Sequence, residues 1–141
     1  MTESIARNYK LSKNFTLWEF LESPVARELN LIGRQLQIPE VYILNLRRLC
    51  EHVLQPLRDQ YGTITITSGY RCPELNTAVN GSKTSDHCMG KAADIKVRHM
   101  TLAYEWMKKL NFKQLIDEYA LSWIHVSYDE FNNKKQILKL G

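Results

Sequence analysis

The ten residues SDHCMGKAAD, Ser85 to Asp94, hold a histidine, a cysteine and two aspartates around a glycine. A loop needs only polarity and a strand needs only alternation, so this concentration of ionisable groups asks for a chemical reason. A hydrolytic zinc site takes three protein ligands from His, Asp, Glu or Cys and keeps a further position open. His87 and Asp94 offer one nitrogen and one oxygen seven residues apart, with Ala92 and Ala93 leaving room beside them. Gly90, between them, admits backbone shapes that other residues resist. A third ligand has to come from elsewhere, and Trp123-Ile124-His125-Val126-Ser127 is the candidate. Strand alternation puts His125 and Ser127 on one face and Ile124 and Val126 on the other. Spacing alone leaves a second account open, in which His125 is an ordinary half-buried strand residue and Asp94 a turn or capping residue. His52, inside a helical stretch, and His99, at a strand-to-helix boundary, read as surface or capping residues.

The elements that must position these groups follow from periodicity. Asn14 or Thr16 caps a helix start, with Glu19 three residues after Thr16, and Pro24 opens a second short helix. From Pro39 to Gln60, apolar residues at Val41, Leu44, Leu46, Leu49, Val53, Leu54 and Leu57 mark an amphipathic helix, which Pro56 should kink or end. Thr63–Ser68 alternates as a strand, and Ala92–Val97 reads as a second. Thr101–Leu110 returns to helical spacing, before strand candidates at Lys113–Glu118, Trp123–Tyr128 and Gln136–Leu140. Helices first and strands later predict an α+β fold, a small and largely antiparallel sheet with helices packed on it. At 141 residues, without a linker or repeat, one domain spanning 1–141 is expected.

Composition narrows the function classes. With 44% hydrophobic and 24% charged residues the chain can bury a core and is not disordered. A net charge of +4, spread without a basic stripe or an interleaved aromatic platform, argues against nucleic acid while suiting an anionic polymer. Cys50, Cys72 and Cys88 are odd in number and form no Cys-x-x-Cys pair, which predicts reduced thiols rather than disulfides or a zinc knuckle. The opening MTESIARNYKLSKNF has no apolar run, so no signal peptide or membrane anchor is expected. The expected location is the cytoplasm, and the expected state a monomer.

The pattern Ser85-x-His87-x-x-Gly90-x-Ala92-x-Asp94, followed by Trp123-x-His125-x-Ser127, resembles the zinc signature of the D-alanyl-D-alanine carboxypeptidase group. That group also holds the vancomycin-resistance dipeptidases, several phage endolysins and the hedgehog signalling domain. The resemblance extends to Ser68-Gly69-Tyr70-Arg71-x-Pro73-x-Leu75-Asn76, to Asn45-Leu46-x-x-Leu49 and to Leu54-Gln55-Pro56-Leu57-Arg58, so it covers the chain from about Phe15 to Leu138. It implies that His87, Asp94 and His125 hold Zn2+. It implies that Arg71 contacts a substrate carbonyl or carboxylate near the metal. Many relatives carry an Asp or Glu three residues before the final His, where this chain has Ser122.

Without a carboxylate at Ser122, Glu118 is the candidate general base. It ends the Gln114–Glu118 stretch, and a hairpin at Tyr119–Ser122 brings it back towards His125, as in the hedgehog arrangement. Asp117 should face the other side of the sheet. Ser85, Trp123 and Ser127 are candidates, with Arg71, for contacting substrate, and Ser85 and Ser127 could equally support the ligands. Cys88 reads as a packed thiol. The implied activity is a zinc metallopeptidase acting on D-amino-acid-containing bonds of peptidoglycan stem peptides, as a carboxypeptidase or an endolysin-type endopeptidase of phage or prophage kind. The resemblance adds to the cytoplasm a second expected location, the cell wall after release without a signal peptide as in phage lysis. The alternative is a zinc-stabilised binding module of the same fold without turnover.

Overall fold

The computed structural model describes residues 1–141 and has an α+β architecture, a mixed five-stranded sheet and a two-stranded ribbon combined with short helices. Helix α1 (Glu3–Asn8) leads into the ribbon of β1 (Lys10–Ser12) and β2 (Phe15–Thr16), followed by α2 (Leu17–Leu21), α3 (Pro24–Glu28) and α4 (Ile32–Gln35). Then come α5 (Glu40–Leu49), α6 (Gln55–Tyr61), β3 (Ile64–Ser68), α7 (Pro73–Ala78), β4 (Ala92–Val97), α8 (Met100–Met107), β5 (Gln114–Glu118), β6 (Trp123–Ser127) and β7 (Gln136–Leu140). Thr16 and Glu19 start α2 as expected, the Glu19 carboxylate accepting the Thr16 N–H at 2.7 Å. Asn14 does not cap and instead bonds to Gln55. Pro24 opens α3 behind Ser23, whose hydroxyl accepts the Ala26 N–H. No helix is long and apolar enough to cross a membrane.

The sheet order is β3-β4-β6-β5-β7. Three pairings are antiparallel, but β7 runs parallel to β5, with Ile116 opposite Leu138. The sheet is therefore not purely antiparallel. β6 ends and β7 begins level with Gln114, so Tyr128–Lys135 only has to cross the end of β5 to its far side, and β7 then runs alongside β5 in the same direction. Alternation divides the faces cleanly: Ala93, Ile95, Val97, Leu115, Ile124 and Val126 join the hydrophobic core, while Asp94, Glu118 and His125 lie on the other side.

Under the sheet, Leu46, Leu49, Val53, Leu54 and Leu57 are fully buried along the long helical segment. Val41 and Leu44, expected on the same stripe, are exposed, and Ile43 is buried instead. Pro56 neither ends nor sharply breaks the segment. Residues Cys50–Leu54 widen into a π turn, with the Gln55 N–H reaching the Cys50 carbonyl, and α6 resumes at once. The wide turn accommodates the proline ring and its missing donor where a straight α-helix would suffer a clash.

Gly90 combines a left-handed backbone with a close approach to a neighbouring helix. Its φ is +70°, and a Cβ there would run into the Tyr42 carbonyl of α5. Gly90→Ala is expected to destabilise the protein by more than about 1 kcal/mol, read as a lowered urea midpoint. An unchanged midpoint would contradict the close packing of this turn on α5.

Candidate metal centre

Asp94 and His125 are brought together by strand register. They are direct cross-strand partners in the antiparallel pair of β4 and β6, so their side chains rise side by side from the same face. His87 arrives from a 3₁₀ turn, Asp86–Met89, that starts where the Ser85 hydroxyl accepts the His87 N–H at 3.2 Å. The turn is tied to the rest of the fold by the Asn45 amide on the Met89 carbonyl and by the Arg71 N–H on the His87 carbonyl. His87 Nδ1 bonds the Gly69 carbonyl at 2.7 Å, which leaves Nε2 directed at Asp94 Oδ1, 3.3 Å away. His125 Nδ1 reaches the same oxygen at 2.9 Å.

Two nitrogens and one carboxylate oxygen thus converge, and a ligand atom from each residue lies within 4.8 Å of the others. Tetrahedral zinc with bonds of about 2.0–2.1 Å holds its ligands about 3.3 Å apart, so the spacing fits such an ion with little adjustment. The donor chemistry fits too. Burial pushes the His87 imidazole below its ordinary value, against the pull of Asp94, so it favours the neutral form that binds metal. Burial opposes ionisation of Asp94, yet hydrogen bonds from His125 and His87 outweigh it and hold the carboxyl well below the usual carboxylate range. The His87 side chain is only 3% exposed, whereas Asp94 and His125 are 14% exposed, so the cluster opens to solvent on one side. A closed structural site would have no such opening.

Arg71 lies against this cluster. Its Nη2 is 3.6 Å from Asp94 Oδ2, its Nε donates to the Ser68 hydroxyl at 3.2 Å, and its Nη1 to Asn76 Oδ1 at 3.4 Å. Ser68 is available because the β3–β4 register shifts between Ile66 and Ser68, which sets Ser68 opposite Asp94. Such bulges commonly re-aim a side chain. Sequence reasoning missed the residue beneath Arg71. Gln35 is fully buried and donates from Nε2 to the carbonyls of Leu21 (3.0 Å) and Tyr70 (2.7 Å), while its Oε1 accepts the Cys72 N–H at 2.8 Å. It clamps the peptide groups on both sides of Arg71. No local pattern marks it, since its partners are 14 to 37 residues distant.

Glu118 pairs with Trp123 across the β5–β6 hairpin and lies on the same face as His125, one diagonal step away. Burial and the charge of Asp94 push its carboxyl above the ordinary value, with His125 acting against them. The hairpin expected at Tyr119–Ser122 is present and unusual: Tyr119, Ala120 and Leu121 all have positive φ, between 52° and 57°. Left-handed residues other than glycine cost about 1–2 kcal/mol each. Asp117, on the opposite face from Glu118, offsets part of that cost by accepting the Leu121 N–H at 2.7 Å.

The remaining candidates separate. Ser85 lines a cleft of about 380 Å³ together with His125 and Glu118. Trp123 is half-buried two residues before His125, with its ring 5.2 Å from that of Tyr119. Ser127 is fully buried and its hydroxyl accepts the Gln114 N–H at 3.1 Å, so the sheet uses it and it offers no free surface to substrate. Ser122 is exposed and donates to the Tyr119 carbonyl. Cys88 stands outside the ligand group, and all three cysteines are free. His52 stacks on Tyr128 at the surface, and His99 precedes α8.

Among known families, the one described as Peptidase M15 matches residues 30–127, more than half of the chain, a span that includes Gln35, Arg71, His87, Asp94, Glu118 and His125. A search among curated proteins returns no match.

Two expectations follow from this geometry. Gln35→Leu leaves three buried backbone groups unpaired, at about 1–3 kcal/mol each, and should lower the urea midpoint sharply, whereas an unaffected midpoint would contradict the clamp. In metal-free protein, an NMR titration of the Glu118 carboxyl should give a midpoint above 4.5, and adding zinc should lower it because a nearby cation favours the ionised form. A midpoint at or below 4.5 in metal-free protein, or one indifferent to zinc, would place Glu118 too far from the centre to act there.

Proposed function

The chain belongs to the Peptidase M15 family, and from that premise we propose that it hydrolyses D-amino-acid-containing peptide bonds of peptidoglycan stem peptides in a zinc-dependent reaction. The family is one of zinc peptidases resembling D-Ala-D-Ala carboxypeptidases. The observation that carries the reading is the His87-Asp94-His125 cluster, solvent-accessible on one side and flanked by a carboxylate and a guanidinium.

His87 Nε2, His125 Nδ1 and the Asp94 carboxylate would hold the ion, with the Gly69 carbonyl fixing the His87 tautomer. Zinc so held supplies Lewis acidity towards the scissile carbonyl and the attacking water. Glu118 accepts the proton that water loses and passes it to the departing amine, a task for a carboxylate whose proton affinity is raised. Arg71, braced by Ser68, Asn76 and Asp94, donates to the oxygen that gains negative charge, or to a terminal carboxylate of the substrate. A planar fork held on three sides cannot be replaced by a point charge. Ser85 and Trp123 flank the path of the peptide.

The non-catalytic alternative rested on Ser122 standing where relatives carry an acid. The position of Glu118, on the site face and within electrostatic reach of Asp94 and His125, supports the enzyme reading instead.

Incubation with purified peptidoglycan should release D-alanine or cleaved stem peptides, seen by mass spectrometry, and chelator should stop the release. Fragment masses distinguish carboxypeptidase from endopeptidase. Stoichiometric zinc with no fragment from several wall types would contradict the proposal. Glu118→Gln should keep zinc and lose about 10²–10⁴-fold in turnover, and Arg71→Lys should lose activity despite its charge. Full activity in either variant would remove that residue from the mechanism.

A further inference from the structure

We infer that the cleft leading away from the metal centre is a subsite for a carboxylate-bearing residue of the substrate, with Lys134 as its recognising cation. The inference rests on the peptidase reading for its choice of ligand, but the cleft's chemistry stands by itself. Of its ten lining residues only Ile116 is hydrophobic. His125 and Glu118 belong to the metal centre, and Asp86, Lys113, Lys134, Ser82 and Thr84 are among the other lining residues.

The two lysines of the lining are differently engaged. Lys113 is committed to Asp86, Nζ to Oδ1 at 3.0 Å, in a largely buried pair that also anchors the turn carrying His87. Lys134 has no acidic partner anywhere in the chain. Its backbone is nevertheless held next door: the Lys135 N–H bonds the Phe112 carbonyl and the Gln136 N–H the Lys113 carbonyl, both at 3.0 Å. A lysine without an acidic partner thus lines the polar cleft on an anchored stretch of chain. The Ser82 and Thr84 hydroxyls, 3.1 Å apart, line the same cleft. Glu118 repels an anion and Lys134 attracts one, so an acidic group in the cleft is drawn towards Lys134.

The surface on the Arg71 side differs. There the groove mixes the apolar Pro24, Val25, Leu75 and Val79 with Glu22, Arg71 and several hydroxyl-bearing residues. On the peptidase reading, the carboxylate that enters the Lys134 cleft is one borne by a residue of the stem peptide.

The test uses two synthetic stem pentapeptides, one with free carboxylates on its second and third residues and one with both as carboxamides. Affinity is measured by calorimetry on the full-length, zinc-loaded Glu118→Gln protein, so that turnover does not consume the peptides, and cleavage is followed separately with wild type. The free-carboxylate peptide should bind about tenfold more tightly or better. Adding Lys134→Gln should erase that difference and leave carboxamide binding unchanged. Lys134 is exposed and unpaired, so this change should not disturb folding. Equal affinity for the two peptides, a preference that survives Lys134→Gln, or no binding of either would overturn the subsite. If wild type cleaves both peptides alike and the variant binds them equally, the peptidase reading holds and the subsite falls. Selective binding without cleavage would uphold the subsite and overturn the peptidase reading.

Discussion

In the antiparallel pairing of β4 with β6, Asp94 lies directly opposite His125, and the remainder of the site is arranged around that pair. A slip of one residue in this register would turn one of the two side chains into the core and dissolve the cluster. The register is protected by what lies on the reverse face. Ala93 and Ile95 of β4 and Ile124 and Val126 of β6 are fully buried there, so a slip would also expose the apolar pair of the strand that turned. At about 25 cal/mol per Å² of apolar area, such exposure costs far more than any compensating contact could return. The hydrophobic core and the candidate metal ligands are therefore specified by the same alternation.

Around that pair, the other groups are delivered by irregular backbone. A bulge in β3 turns Ser68 towards Arg71, a 3₁₀ turn presents His87, and a left-handed hairpin closes the strand pair that carries Glu118 and His125. Each irregular piece has its own brace: the Asn45 amide for the turn, Asp117 for the hairpin, Gln35 for the loop bearing Arg71. Gln35, fully buried with both ends of its amide hydrogen-bonded, is best suited to this work, because alternative arrangements leave polar groups unpaired in the interior. Rigid positioning of a cluster by such braces is what a reaction centre needs, since small displacements of reacting groups are costly in rate.

Much of the arrangement was legible because it is local. Period-two alternation around Asp94 and His125 gives both strands and both faces, and the hairpin between Glu118 and Trp123 needs only a four-residue turn. Less legible was whatever depends on distant partners. Gln35 looks like any polar residue at the end of a short helix, yet its three partners come from two other segments. Strand direction leaves no trace in a five-residue pattern, so the parallel placement of β7 against β5 was not expected. Ser127 shares the His125 face by alternation, but that periodicity says nothing of the Gln114 amide that occupies its hydroxyl. Pro56 was expected to kink or end its helix because the rule assumes an α-helical turn, and the π turn before it removes that premise.

The account stands or falls on whether these three side chains hold a metal ion. Crystals of zinc-loaded protein, measured on both sides of the zinc absorption edge, test this directly. An anomalous peak within about 2.0–2.2 Å of nitrogens from His87 and His125 and an oxygen of Asp94 is the predicted result. A peak elsewhere, or none in protein soaked with excess zinc, would contradict it.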